Sequence, residues 1–410
     1  MLYIKGALPQ SGRMAFHRSP VFASFGVSLL ALTTALADTP RLAQVSEAMQ
    51  EMVARDEIAG AVTMVVGRDD VWHLEATGLA DRAAGRSMTP DTLFWIASMT
   101  KPVTGAAILM LQDEGKLHVT DRVEKHLPEF ATLKSPSGKP AHLTIAQLMN
   151  HTSGLGEARG PEAQKAKSLA DLIPLWVDSP MQFEPGAKWS YTQSGINAAG
   201  RIVEVVSGQS FDAFLNDRLF GPLGMKQTTF FLTPETRASL ATAYAKNVET
   251  GKLEPVPPRP DFGAPDRPPL GNGGLYSTAS DYARFCQMLL NGGSLDGRRF
   301  LSAEAMSFLT DPQTGDLPTG FFQDDTYGNR GSHYAWGIGT CILRQPHDGV
   351  AAMLSPGTFG HGGAWGTQAW IDPVKRFAYI LMVQRSDFPN SDASEVRRRF
   401  QQAAADSLAK

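Results

Sequence analysis

The chain has 410 residues, of which 42% are hydrophobic and 19% are charged, so it can bury a sizeable core in two or three domain-sized units. The formal net charge is -3, with acidic and basic residues interspersed. Because this gives no broad basic surface, nucleic acid is not an expected partner.

The first residues have the pattern of an export signal. Basic residues precede an apolar stretch at 21–32, and the small residues Ala35 and Ala37 follow it. We therefore expect a signal peptide over residues 1–37 and an exported protein, periplasmic or secreted. The alternative is an uncleaved anchor, but the apolar run is short for a bilayer span. No later segment is apolar for long enough, so we expect no stable membrane span in the mature chain.

A helical pattern and two β-rich runs follow the signal. Residues 41–56 carry apolar positions at helical spacing, and residues 59–82 contain two β-rich runs around a turn signal at 67–70. The pattern predicts a helix and then a hairpin. From residue 98 to about 116 the spacing is helical again.

The middle of the chain is mainly helical and ends at a proline-dense segment. Strand-like runs are scarce in residues 117–250. The prolines of residues 253–270 exclude a helix and a central strand, so we interpret this segment as a loop at a boundary. Beyond it, a helical pattern comes first, strand-like runs follow, and a helix ends the chain: residues 279–292, 334–344, 366–373, 376–385 and 394–410.

Strand-rich ends around a helical middle predict an α/β fold with a helical insertion. We expect a discontinuous sheet domain from residues 38–97 and 270–410, and a mainly helical domain over residues 98–269. A cleft for a small molecule is expected where the two meet.

Ser98 and Lys101 stand three residues apart at the head of an apolar helical run. On a helix, this spacing puts the hydroxyl and the amine on one face. Burial and the positive end of a helix dipole lower the pKa of a lysine toward the range in which it acts as a base. The spacing alone is weak, since Ser407 and Lys410 repeat it at the chain end, and the alternative is a capping serine beside a solvated lysine.

Further motifs strengthen the functional interpretation of Ser98 and Lys101. Tyr191 follows a Pro-Gly turn and precedes a helical pattern, while His361, Gly362 and Gly363 lie at a predicted strand, where missing side chains let a substrate approach the backbone. The motifs and their order over about residues 42–405 resemble the serine β-lactamase and penicillin-binding-protein superfamily. Within it, the chain is most similar to class C β-lactamases, D-Ala-D-Ala carboxypeptidase-like hydrolases and family VIII carboxylesterases.

The resemblance implies a β-lactamase/transpeptidase-like α/β fold, an antiparallel sheet flanked by helices with an inserted all-helical domain. Ser98 would be the acylated nucleophile and Lys101 its proton acceptor. Tyr191 would be a general base in deacylation or a proton shuttle to the leaving group. The motif at 361–363 would border the substrate, and the amides of Ser98 and Ala364 would form an oxyanion hole, with each donor worth about 3 kcal/mol in the transition state.

Two departures from the family pattern bear on the substrate. Gln193 stands where the second motif has asparagine, which changes the reach of the amide toward Lys101 and the substrate. His361 replaces the lysine of the third motif, and an imidazole is mostly uncharged near pH 7. Both favour carboxylic esters over amides and lactams as substrates. β-Lactamase activity, D-amino-acid peptidase or D,D-carboxypeptidase activity, and a ligand sensor that is acylated or only binds remain alternatives.

No cofactor and no metal are expected. The nine histidines form neither an H-E-x-x-H motif nor a cluster with cysteine. Cys286 and Cys341 both lie among apolar neighbours, and we favour two buried, unpaired thiols over a disulfide.

Other residues near the motifs can be explained by a structural role as well as by a functional one. We interpret His151 and Ser153 as part of a structural turn and leave them out of the site. Four tryptophans lie near the motifs and either line an acyl pocket or belong to the core: Trp95, Trp189, Trp336 and Trp365.

Overall fold

The fold is described from a computed structural model of the chain, over residues 42–256, 263–319, 333–347, 349–389 and 391–409. The signal peptide predicted at 1–37 lies outside the described residues.

The regular elements are numbered in chain order. The helices are α1 (Ala43–Ala54), α2 (Thr100–Asp113), α3 (Ile145–Met149), α4 (Pro161–Lys165), α5 (Ile173–Asp178), α6 (Ser194–Ser207), α7 (Phe211–Leu215), α8 (Gly221–Leu223), α9 (Pro234–Ala238), α10 (Ala279–Leu290), α11 (Ala303–Thr310) and α12 (Glu395–Leu408). The strands are β1 (Gly60–Val66), β2 (Val71–Asp81), β3 (Arg86–Ser87), β4 (Phe94–Trp95), β5 (Tyr244–Lys246), β6 (Leu253–Pro255), β7 (Tyr276–Ser277), β8 (Ser294–Leu295), β9 (Arg298–Arg299), β10 (Tyr334–Trp336), β11 (Cys341–Leu343), β12 (Phe359–Gly362), β13 (Gln368–Asp372) and β14 (Phe377–Met382).

An antiparallel sheet of eight strands forms the centre of the fold, in the order β10-β11-β12-β13-β14-β1-β2-β3. Every residue of β1 and β14 is buried, as expected for strands with both faces covered. Val62 of β1 pairs with Met382 of β14, so the two ends of the described chain meet at the middle of the sheet. The predicted α/β fold with an antiparallel sheet is confirmed.

Helices cover both faces of this sheet, and the alternation of side chains along each strand assigns the faces. Val65 and Leu381 belong to the core under α1 and α12. Met64 and Ile380, one position away, belong to the larger core that includes α2 and α10. Because successive strand residues point to opposite faces, each central strand contributes to both cores.

The hairpin predicted near the start of the chain is present. β1 and β2 pair along their length, and the amide of Gly67 donates to the carbonyl of Asp70 at 2.9 Å across the turn. α1, predicted from its apolar spacing, packs its buried side onto the sheet next to α12.

α2 carries the predicted lysine and is buried over its first twelve residues. Its polar residues Thr100, Lys101 and Thr104 are buried together with its apolar ones, so this part of the helix lies inside the protein. It approaches the backbone before β11 so closely that a Cβ on Gly105 would overlap the carbonyl oxygen of Ile338. A glycine at this position therefore fixes the depth at which α2, and with it Lys101, sits.

The rest of the described chain packs with these layers. The described residues from 42 onward form one compact unit, and the predicted domain boundaries stay predictions. The proline-dense segment begins with β6, which pairs with β5 in a separate two-stranded sheet, while residues 257–262 lie outside the described residues. Cys286 and Cys341 are buried and unpaired, as predicted. No helix in the described ranges has the length and hydropathy needed to cross a membrane.

Gly105→Ala tests the close approach of α2. We expect the variant to lose about 1–3 kcal/mol of unfolding free energy, because the new methyl group meets rigid backbone. The matched control is Gly200→Ala in α6, whose Cβ would meet a side-chain atom of Leu169 at 3.2 Å. Urea denaturation should leave the control near the wild type. Equal stabilities for both variants would contradict the close approach.

Candidate active site

Ser98 lies in a 3-10 turn, Ala97–Met99, directly before α2. Ala97 has φ 46°, a left-handed conformation that costs a non-glycine residue roughly 1–2 kcal/mol. Thr100 holds the turn, since its Oγ1 donates to the Ala97 carbonyl at 2.7 Å and accepts the Leu275 amide at 3.2 Å. Ser98 is partly exposed between buried neighbours, so the turn presents its hydroxyl at the surface of the site.

Lys101 is fully buried, with its amine against the hydroxyl of Ser98. Its Nζ lies 3.0 Å from Ser98 Oγ and donates to the carbonyl of Asn272 at 2.7 Å. Burial lowers the pKa of Lys101 well below its usual value, and the Glu157 carboxylate opposes that shift. A neutral amine with one hydrogen bonded to Asn272 keeps its lone pair for the proton of Ser98. The proximity predicted from the Ser-x-x-Lys spacing is present.

The phenol of Tyr191 also contacts the Ser98 hydroxyl. Its phenol donates to Ser98 Oγ at 3.0 Å, and its ring lies 4.6 Å from Lys101 Nζ. Burial raises the pKa of Tyr191 well above its usual value, so the phenol keeps its proton at neutral pH. Of the two roles implied by the resemblance, the proton shuttle fits a protonated phenol better than a standing general base does.

His361 on β12 lies against the phenol and is buried. Its Nδ1 is 2.6 Å from the Gly362 carbonyl, an acceptor, so Nδ1 carries the ring proton. Its Nε2, left unprotonated, is 3.4 Å from the Tyr191 hydroxyl. Burial, helped by the nearby Lys101, lowers the pKa of His361 to about 3. The third motif therefore presents a neutral ring where the family has a cation.

The two glycines after His361 are required for the packing of β12. A Cβ on Gly362 would overlap Asp392, and one on Gly363 would lie 2.6 Å from the Ile96 carbonyl. The glycines thus let β12 approach other parts of the protein. That their missing side chains also let a substrate approach the backbone stays a prediction. Ala364, the proposed oxyanion donor, follows this close packing and is exposed.

Gln193 is connected to Lys101 through Asn272. Its Oε1 accepts a hydrogen bond from Asn272 Nδ2 at 2.8 Å, and the Asn272 carbonyl binds Lys101. The Asn272 amide donates to Asn197 Oδ1 at 3.0 Å, which ties this turn to α6. Asn272 could not be predicted from the sequence, because a backbone carbonyl that accepts a hydrogen bond does not depend on the type of side chain.

The four tryptophans near the motifs divide into two groups. Trp189 and Trp336 are buried together in an aromatic core cluster. Trp95 and Trp365 contact each other edge to face, with centroids 4.6 Å apart, and line a cavity of about 390 Å³.

Over the described ranges, no group of three His, Cys, Asp or Glu side chains is placed to hold a metal ion.

Labelling of Ser98 by a fluorophosphonate tests the neutral amine. Because Lys101 acts as a base only when unprotonated, the labelling rate should rise with pH, with a midpoint well below the usual lysine pKa of 10.5. Lys101→Arg keeps a cation that does not deprotonate, so it should label at least about 100-fold more slowly. A midpoint near pH 10.5, or undiminished labelling of a folded Lys101→Arg protein, would contradict the assignment.

Comparisons with known proteins place the chain in a family. The family described as Beta-lactamase matches residues 45–404. Penicillin-binding protein 4 of Amycolatopsis lactamdurans is 31% identical, over 80% of this chain and 78% of that protein. Esterase EstB of Burkholderia gladioli is 28% identical, over 84% of this chain and 91% of that protein.

A solved structure described as EstCE1, a hydrolase with promiscuous acyltransferase activity, is similar in fold. The TM-score is 0.74 at 22% identity, covering 89% of this chain and 98% of that one. The predicted β-lactamase/transpeptidase-like fold is thus confirmed. From the motifs, the sheet and the family match over nearly all the described residues, we conclude that the chain belongs to the Beta-lactamase family.

Proposed function

We propose that this protein is a serine hydrolase that cleaves carboxylic esters through an acyl-Ser98 intermediate. The observation that carries the proposal is the convergence on one hydroxyl, with Lys101 Nζ and the Tyr191 phenol each 3.0 Å from Ser98 Oγ. A nucleophile beside a buried base and a protonated acid has the parts that acyl transfer requires.

In acylation, Ser98 Oγ attacks the ester carbonyl while its proton passes to Lys101 Nζ. The negative charge that forms on the carbonyl oxygen is stabilised by the backbone amides of Ser98 and Ala364, as the family resemblance implies. The Tyr191 phenol gives its proton to the departing alkoxide and regains one from Lys101. Water then attacks the acyl-serine, and the same groups return Ser98 to its starting state.

The third motif favours esters over lactams. A β-lactam carries a carboxylate that the family's lysine helps to hold, whereas His361 is neutral at every pH near 7. An ester also needs less proton assistance to its leaving group than an amide does. The similarity to an esterase, EstB, over most of both chains supports the same choice.

The central prediction concerns short-chain p-nitrophenyl esters. The wild type should hydrolyse them, and Ser98→Ala should abolish turnover. Lys101→Ala and Tyr191→Phe should each lower kcat by about 10²–10⁴, the usual contribution of a general base or acid. Release of p-nitrophenol gives the rates, and intact-protein mass spectrometry should detect an acyl group on Ser98.

The same preparation distinguishes the alternatives. Turnover of nitrocefin or of D-Ala-D-Ala peptides, with no ester turnover, would replace the esterase proposal with a lactamase or a carboxypeptidase. An adduct that persists after mixing with a β-lactam would instead indicate a sensor.

We further propose that the cavity beside Trp95 and Trp365 takes the apolar part of the ester. Trp95 precedes Ser98 by three residues and Trp365 directly follows Ala364, so two of the side chains that line the cavity are close in sequence to residues of the reaction centre. Leu232 and Tyr276 add further apolar surface. Its volume, about 390 Å³, lies in the range of small-molecule pockets.

Ala238→Trp tests this assignment from the exposed rim of the cavity. Ala238 is exposed at the end of α9 and lines the cavity, so a large side chain there can fill the space without disturbing the core. We expect a raised KM for p-nitrophenyl hexanoate and an unchanged KM for the acetate, with Ala238→Ser as the matched control. Equal effects on both esters would assign the acyl group to another site.

We also propose that the protein is exported, with residues 1–37 as the signal. The support is the order of basic, apolar and small residues in that segment.

A further inference from the structure

The loop at 150–157 holds the segment that carries Tyr191. Three consecutive amides of this segment donate to side chains of the loop. Thr192 donates to His151 Nδ1 at 3.2 Å, Gln193 to Glu157 Oε1 at 2.6 Å, and Ser194 to Glu157 Oε2 at 3.1 Å. The sequence alone predicts only a structural turn at His151 and Ser153 of this loop.

His151 is fully buried beneath the reactive phenol. Its ring lies 4.4 Å from the Tyr191 ring and contacts Trp336 edge to face at 4.6 Å. Since Nδ1 accepts a backbone N–H, it carries no proton, and the neutral ring has its hydrogen on Nε2. Nε2 has no hydrogen-bond partner within the described ranges. Burial, together with Lys101 and His361, lowers the pKa of His151 well below its usual range, so this acceptor persists at every working pH.

Glu157 binds the start of α6. Besides the two amides, its Oε2 accepts the Ser194 hydroxyl at 2.9 Å. A carboxylate at a helix N-terminus satisfies amides that lack partners and interacts favourably with the helix dipole. The Gln193 amide that it binds leads toward Lys101, because the Gln193 side chain accepts a hydrogen bond from Asn272 Nδ2 and the Asn272 carbonyl binds Lys101 Nζ. Through this short chain of contacts Glu157 is linked to the lysine, and its negative charge opposes the effect of burial on the lysine pKa.

The other titratable groups around Lys101 are neutral. His151 and His361 both have pKa values lowered by burial and by the lysine itself. Tyr191 has a raised pKa and stays protonated. Glu157 is therefore the charged group, among the described residues, that acts on the proton affinity of Lys101 in the neutral range.

We propose that His151 and Glu157 are positioning residues that hold Tyr191 against Ser98, and that Glu157 is the counter-charge of Lys101. The inference rests on the acyl-serine route proposed above. It does not depend on the ester as substrate, because fluorophosphonate labelling of Ser98 reports on the same groups.

His151 is tested with a pair of variants that differ in the hydrogen-bond acceptor. The substitution His151→Asn keeps an acceptor near the position of Nδ1 and tolerates the left-handed φ of 65°, whereas His151→Leu removes the acceptor. We expect kcat to fall about 100-fold in His151→Leu with KM within a few-fold, since misplacement of a reacting group by about 1 Å has that effect. His151→Asn should recover most of the loss.

Glu157→Gln tests the counter-charge. Removing an anion lowers the pKa of Lys101 further, so the neutral amine persists to lower pH and the acid limb of kcat/KM should move to lower pH. The matched control is Glu162→Gln, whose side chain is exposed and bonds to Lys165 at 2.8 Å. The control should keep the wild-type limb, as should His151→Leu, because a neutral ring carries no charge to remove.

Two results would overturn the proposal in proteins whose circular dichroism and Tm show a native fold. One is equal loss of kcat in His151→Asn and His151→Leu. The other is a Glu157→Gln pH profile that coincides with that of Glu162→Gln. If His151→Leu does not fold, the Glu157 pair decides alone. If wild type labels at Ser98 but turns over no ester, the esterase proposal fails and the labelling rates of the same variants still test the positioning.

Discussion

The site depends on one unfavourable placement, a lysine amine buried in the protein interior beside a serine hydroxyl. In water the Lys101 amine would be protonated at neutral pH. Burial lowers its pKa and so favours the neutral form. The Asn272 carbonyl then orients the amine, and Ser98 lies where its lone pair can take a proton. The nearby side chains of His151, His361 and Tyr191 are neutral, whereas the Glu157 carboxylate raises the pKa of Lys101 and so favours its protonated form. The chemistry thus follows from where α2 is packed.

The fold achieves this placement by bringing together parts of the chain that lie far apart in sequence. The turn before α2 supplies Ser98, the segment before α6 supplies Tyr191, and β12 supplies His361. Each is held by contacts outside the site: Thr100 for the turn, the 150–157 loop for the tyrosine segment, and close glycine packing for β12. Rigid supports of this kind keep reacting groups aligned without the substrate's help.

Side-chain patterns predicted the parts of this arrangement that side chains determine. Apolar spacing indicated α1, the hairpin and α2, and the motif order indicated Ser98, Lys101, Tyr191 and His361. The sequence could not reveal Asn272 as the lysine's partner or Glu157 as the cap of α6, because each contact uses backbone groups that every residue has: the Asn272 carbonyl and the amides of Gln193 and Ser194. The packing role of Gly362 and Gly363 could not be predicted for a related reason: a glycine in a sequence indicates that space is needed but does not identify the atoms that occupy it.

The pairing of β1 with β14 has a consequence for how the chain is made. Val62 and Met382 face each other across the centre of the sheet, yet hundreds of residues separate them. During synthesis, β1 and β2 leave the ribosome long before β14 has been made. α2 is likewise made before the segment around Ile338 that packs against it. Contacts of such long range form slowly, and the apolar strands are open to aggregation in the meantime. The apolar residues of β1 therefore stay without their β14 partner until nearly the whole chain has been made.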